Sequence, residues 1–85
     1  MQIRFTKSFK KDYKNLPLEI QKRLDKQLTF LLENFQHPSL RIKKIEGYFY
    51  IWEGRISKSY RFTFQIIDDI YLIRRTGTHD ILKNP

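Results

Sequence analysis

Apolar residues keep helical spacing as far as Phe35 and switch to strand-type alternation after Ile42, with the polar stretch Gln36, His37, Pro38 and Ser39 between the two regimes. That switch restricts the chain to folds in which helices and strands are segregated along the sequence. On the helical side, Ile20, Leu24, Leu28, Leu31 and Phe35 follow one another at helical intervals, and Phe9, Tyr13 and Leu16 form a shorter stripe before them. Thr6 and Ser8 both suit an N-cap, Asn15 marks a break, and Pro17 suits the first turn of a second helix. Two helices are therefore predicted within residues 7–35. Ahead of them, Gln2 to Phe5 alternates as a short strand. After the break, strands are predicted at 42–45, at 48–56 following Gly47, at 60–67 and at 70–76, the last ended by Gly77.

With 85 residues and no cysteine, the chain supports one hydrophobic core and no disulfide, thiolate metal site or thiol nucleophile. The predicted fold is α+β, a single domain over residues 1–85 in the order β-α-α-β-β-β-β, with an antiparallel sheet carrying both N-terminal helices on one face. Seven Phe, five Tyr and one Trp supply the large rings that let so small a core bury enough area. No apolar run approaches the ~18 residues of a membrane span. The alternation from Met1 to Phe5 is unlike a secretion signal. A cytoplasmic protein without a membrane partner is expected.

Seventeen Lys and Arg against nine Asp and Glu give a net charge of +8, which favours a polyanionic partner. Eleven of the seventeen precede residue 45. Lys7, Lys10, Lys11 and Lys14 form a stripe on the first helix, and Lys22, Arg23, Lys26, Arg41, Lys43 and Lys44 extend the basic character. Such a surface keeps a domain soluble, or it gives a broad electrostatic footprint for RNA whose affinity falls steeply with salt.

Strand register turns this outline into a candidate site. If Asp68 and Asp69 make a two-residue turn, Arg61 faces Thr76, Thr63 faces Arg74 and Phe64 faces Ile73. If Ser57, Lys58 and Ser59 form a three-residue loop, Arg55 faces Arg61, Glu53 faces Thr63 and Trp52 faces Phe64. Opposed residues project to the same side of a sheet. One face then collects Trp52, Ile56, Tyr60, Phe62, Phe64, Ile66, Tyr71 and Ile73, the core under the helices. The other collects Glu53, Arg55, Arg61, Thr63, Arg74 and Thr76, with His79 just past the end of the last strand and Arg75 at the margin of the apolar side. Opposed Arg55 and Arg61 are like charges that an anion would relieve, and phosphate fits the role. The same pair could equally be bridged by Glu53 as a surface ion cluster.

Cleaving RNA without a metal or cofactor needs a base for the 2′-hydroxyl, an acid for the departing 5′-oxygen and cations for the crowded phosphate. Arg55 and Arg61 suit the last task, and His79 the acid, because imidazole is the side chain that ordinarily titrates near neutrality. Glu53 is the candidate base. Lys58 at a hairpin tip, Arg74, Lys43, Lys44, Lys10 and Lys14 are candidate RNA-binding residues. His37, before Pro38, reads as a capping or loop residue.

The segment from Trp52 to Arg61 (Trp-Glu-Gly-Arg-Ile-Ser-Lys-Ser-Tyr-Arg) and the ending Arg74-Arg75-Thr76-Gly77-Thr78-His79-Asp80, set in this element order, resemble the RelE/ParE toxin superfamily, and the ending resembles its YafQ-type branch. The resemblance implies a ribosome-dependent mRNA endoribonuclease that leaves a 2′,3′-cyclic phosphate and a 5′-hydroxyl. It also implies a cognate antitoxin, the ribosome with its 16S rRNA, and mRNA as partners, the chain being monomeric alone and a hetero-oligomer with the antitoxin. By position, Arg61 resembles the family's phosphate-binding arginine, His79 the histidine of the YafQ-like branch, and Arg55 an arginine of the preceding strand. Two departures stand out. Trp52 and Gly54 occupy the stretch where RelE carries paired lysines, and Lys83 stands where many members carry a base-stacking aromatic, leaving Tyr48 or Tyr50 for that role. A ParE-like inhibitor of DNA gyrase and a non-catalytic binding protein on the same fold are the alternatives.

Overall fold

Phe62, Phe64 and Ile73 are wholly buried and make the floor on which the helices rest. The computed structural model describes Met1–Pro85. Its elements are β1 (Gln2–Phe5), α1 (Lys7–Lys14), α2 (Leu18–Glu33), a 3₁₀ turn at Pro38–Leu40, β2 (Lys43–Lys44), β3 (Trp52–Arg55), β4 (Tyr60–Ile67), β5 (Ile70–Thr78) and a second 3₁₀ turn at His79–Lys83. The strands form one sheet in the order β1-β5-β4-β3-β2. Phe9 of α1, Leu16 of the connection and Leu24, Leu28 and Leu31 of α2 pack with Phe62, Phe64, Tyr71 and Ile73 in one core, so both helices cover the same face. Burying each large ring contributes about 1.5–3 kcal/mol. No helix is long and apolar enough to cross a membrane.

Local chemistry explains where the helices begin. Thr6, rather than Ser8, caps α1: its Oγ1 accepts the Phe9 N–H at 3.0 Å and donates to the Arg74 carbonyl at 2.7 Å, tying the helix start to β5. Pro17 stands one residue ahead of α2, where its carbonyl accepts the N–H groups of Ile20 and Gln21. Asp12 then holds α1 on β5, accepting from Arg75 Nε at 2.6 Å and from the Thr76 N–H at 3.2 Å. The hydrogen bond to Asp12 raises the Arg75 pKa; burial opposes this and the Asp12 charge adds to it.

Four details depart from the sequence expectation. The sheet is mixed, because β1 runs parallel to β5 while every other pair is antiparallel. A long excursion through both helices separates β1 from the rest, so no hairpin dictates its direction. Tyr48 to Ile51 is not strand: Gly47 adopts a φ of 85°, and the Tyr48 N–H bonds back to the Ile45 carbonyl, folding these residues into a tight loop before β3. Ile66 is 41% exposed, near the β4–β5 hairpin. Finally, β5 continues through Gly77 to Thr78 and carries a bulge. Pairing follows the expected register from Ile67↔Ile70 to Phe64↔Ile73, then slips by one residue, giving Thr63↔Arg75, Phe62↔Thr76 and Arg61↔Gly77.

Candidate active site

The β3–β4 register is the one predicted: Trp52 faces Phe64, Glu53 faces Thr63 and Arg55 faces Arg61. A face bearing Glu53, Arg55, Arg61 and Thr63 therefore exists, on the side away from the helices. The bulge alters its β5 edge. Thr76 pairs with Phe62 instead of Arg61, leaves this face, and donates its hydroxyl to the Arg61 carbonyl at 3.1 Å. Arg74, the residue the bulge leaves unpaired, stays on the face, donating from Nη1 to Gln65 Oε1 at 2.7 Å and from Nε to the Pro85 main-chain oxygen at 3.1 Å. Thr63 donates to that same oxygen at 3.2 Å. Arg75 is held by Asp12 of α1.

This face is partly covered. The turn His79–Lys83 folds back over the sheet, bringing Ile81 to where a Cβ on Gly77 would meet its Cγ2 at 3.0 Å. Ile81 is buried, and Tyr48 donates its hydroxyl to the Lys83 carbonyl at 3.3 Å, closing the cover against the β2–β3 loop. Thr63, Glu53 and Arg61 are consequently buried at 0%, 6% and 8% exposure. What stays accessible is the end of the sheet where β3 ends and β4 begins. There His79, solvent-exposed, follows the Tyr60↔Thr78 pair, one step beyond Arg61↔Gly77.

Arg61 is held by the hairpin it helps to fold. Its Nη1 donates to the carbonyls of Ser57 at 2.6 Å, Tyr60 at 3.0 Å and Lys58 at 3.1 Å, and its Nε lies 3.7 Å from Glu53 Oε1. No hydrogen bond within the chain uses Nη2. Burial first, and the Arg55 charge second, lower the Arg61 pKa, and Glu53 works against both. Glu53 also approaches Lys43 Nζ at 4.0 Å, so it bridges Arg61 and Lys43 rather than the two arginines. Replacing Arg61 with alanine is expected to lower stability by about 1–3 kcal/mol, read as a shift in the urea midpoint, because loop carbonyls and Glu53 lose their buried cation. Arg61→Lys, whose ammonium cannot reproduce the planar fork, should recover only part of this.

The other candidates divide. Lys43, paired across from Glu53, and Lys58, exposed at the hairpin tip, border the site. Lys44 is paired across from Trp52 and places its Nζ 5.2 Å from the Trp52 ring on the helix side. Lys10 and Lys14 lie on α1, beside an apolar hollow formed with Phe5, Phe9, Tyr13 and Leu28, far from the arginine pair. His37 accepts the Ser39 N–H at Nδ1 and stacks on Phe30 at 4.0 Å, a capping role in the Pro38–Leu40 turn. Three features escaped the sequence analysis. Phe49 is the most exposed of the large apolar residues at 87%, beside Tyr50 at 75%. Gln27 is buried on the same helix as Leu24 and Leu31, and a polar residue within that apolar stripe was the available sign. The cover by residues 79–85 left only Ile81 as a trace in the sequence.

No protein-family model matches the chain, and no curated protein does. Solved structures do. The toxin of the RelB–RelE antitoxin–toxin complex from Methanococcus jannaschii is 27% identical over 94% of each chain, with a TM-score of 0.76. A YoeB/ParE toxin from Agrobacterium tumefaciens is 14% identical over 93% of this chain and 99% of its own, with a TM-score of 0.79. YafQ from E. coli strain BL21(DE3) is 19% identical over 94% of each chain, with a TM-score of 0.74. The chain has the fold of the RelE/ParE toxins of toxin–antitoxin systems.

Proposed function

We propose that this chain is the toxin of a type II toxin–antitoxin system and acts as a ribosome-dependent, metal-independent mRNA endoribonuclease in the cytoplasm. The observation that carries the reading is the arginine pair. Arg55 and Arg61 oppose each other beside Glu53, at the end of the sheet that His79 adjoins. Two like charges held together favour an anion between them. In the reaction, Glu53 accepts the proton of the ribose 2′-hydroxyl and the 2′-oxygen forms a bond to phosphorus. The bond to the 5′-oxygen breaks, His79 protonates that oxygen, and Arg55 with Arg61 hold the phosphoryl oxygens. The products are a 2′,3′-cyclic phosphate and a 5′-hydroxyl. Phe49 and Tyr50, exposed on a loop braced by backbone hydrogen bonds and flanked by Lys43 and Lys44, supply rings on which a base can stack. The RelE relative was solved with its antitoxin, and an antitoxin partner is proposed here on that likeness.

Primer extension on mRNA after induced expression tests the proposal. New 5′-hydroxyl ends within translated regions, appearing only where ribosomes engage the message, are expected. An intact transcript pool together with blocked DNA supercoiling would overturn it in favour of a gyrase inhibitor.

A further inference from the structure

On the helix side of the same sheet end, Arg23, Lys26, Gln27 and Phe30 of α2 recur at i, i+3, i+4 and i+7 and line a cavity of about 440 Å³ with Ser39 and Arg55. We infer that this groove is a second phosphate site, taking an RNA phosphodiester adjacent to the one held by Arg55 and Arg61; the inference rests on the ribonuclease reading.

Charge is the first argument. Arg23 and Lys26 line one hollow together with the end of β3 at Arg55, and no carboxylate lines it. The chain's ion pairs are Lys43–Glu53, Arg61–Glu53 and Arg75–Asp12, so neither Arg23 nor Lys26 is neutralised internally. Cations gathered in a concave site attract an anion more strongly than the same cations spread over a convex surface. Rigidity is the second argument. Gln27 is buried, its Nε2 donating to the Arg55 carbonyl at 2.8 Å and to the Ser39 carbonyl at 3.2 Å, while its Oε1 accepts from the Ser39 hydroxyl at 3.3 Å. These bonds fasten α2 and the Pro38–Leu40 turn to the end of β3, so the groove is formed before anything binds. Continuity is the third. Arg55, whose carbonyl accepts from Gln27 at the groove, presents its side chain to the opposite face beside Arg61. A strand whose phosphate lies between the arginines has its neighbouring phosphate led around the end of β3 toward α2.

The phosphate could belong to the substrate strand or to ribosomal RNA, and salt titration separates the sources. Binding of a labelled single-stranded RNA oligonucleotide, and separately of ribosomes, is measured against salt for the wild-type chain and the Arg23→Ala/Lys26→Ala variant. Each lost phosphate contact to a single strand reduces the slope of log K against log salt by about 0.7, so a reduction of about 0.7–1.4 is expected. Loss confined to the oligonucleotide assigns the groove to substrate, and loss confined to ribosomes assigns it to ribosomal RNA. Unchanged slopes in both would overturn the inference, as would an equal reduction per charge when Arg4 alone, on β1 at the far edge of the sheet, is replaced by alanine. Weakening of antitoxin binding alone would assign the groove to an acidic protein segment and also overturn it. Cleavage is followed in parallel: a chain that keeps its groove-dependent slope but never cuts RNA sinks the nuclease reading alone.

Discussion

Replacing His79 with alanine is expected to slow RNA cleavage by about 10²–10⁴-fold, the usual contribution of a positioned acid or base. Growth arrest on expression should be relieved to match. The imidazole is solvent-exposed and makes no hydrogen bond within the chain, so the variant should keep its urea midpoint to within about 0.5 kcal/mol. The control that separates acid catalysis from mere placement is a substrate whose departing 5′-oxygen is replaced by sulfur. A thiolate leaves without a proton, so the His79→Ala chain should cut it nearly as fast as the wild type does, whereas Arg61→Ala should stay slow on both substrates. A His79→Ala chain that cuts RNA at the wild-type rate would remove His79 from the mechanism.

Gly54→Ala is expected to be the most damaging single methyl that can be added, costing about 3 kcal/mol or more against a domain stability of about 5–15 kcal/mol. Gly54 pairs with Phe62, and a Cβ there would stand 2.3 Å from the ring's Cζ and 2.5 Å from Cε1. The ring has nowhere to go, because it is wholly buried against Phe64 at 5.7 Å between centroids. Equilibrium urea unfolding measures the loss. Pairing the change with Phe62→Leu gives the decisive comparison: the added methyl then fills space the smaller side chain vacates, and the two effects should fall well short of their sum. Additive losses would mean that the close approach is not what makes glycine necessary.

Gly54 also shows how much could be read from the sequence and where reading stopped. The β3–β4 pairing was legible because a three-residue loop leaves one register that keeps Trp52, Phe62 and Phe64 out of water. That pairing alone brought Arg55, Arg61, Glu53 and Thr63 to one face. The β4–β5 pairing was legible only as far as Phe64 and Ile73, since a bulge adds one residue without changing composition or alternation enough to announce itself. Thr76 was therefore assigned to the wrong side. The burial of the face was also invisible. It depends on Ile81 and on the Pro85 oxygen meeting Thr63 and Arg74, contacts that no periodicity encodes. Asp12 belongs to the same class, its partners Arg75 and Thr76 lying more than sixty residues away in sequence.

The bulge at Arg74 has a consequence for which changes of length the chain can accept. Removing Arg74 would take out the bulge and leave Thr63↔Arg75, Phe62↔Thr76 and Arg61↔Gly77 paired as they are. The Arg75–Asp12 contact on one side of the sheet and the path to His79 on the other would both survive that deletion. Substitution and deletion at Arg74 both cost its contacts to Gln65 and Pro85, and neither moves a later residue to the other face. A one-residue loss is expected to be tolerated at this position of β5.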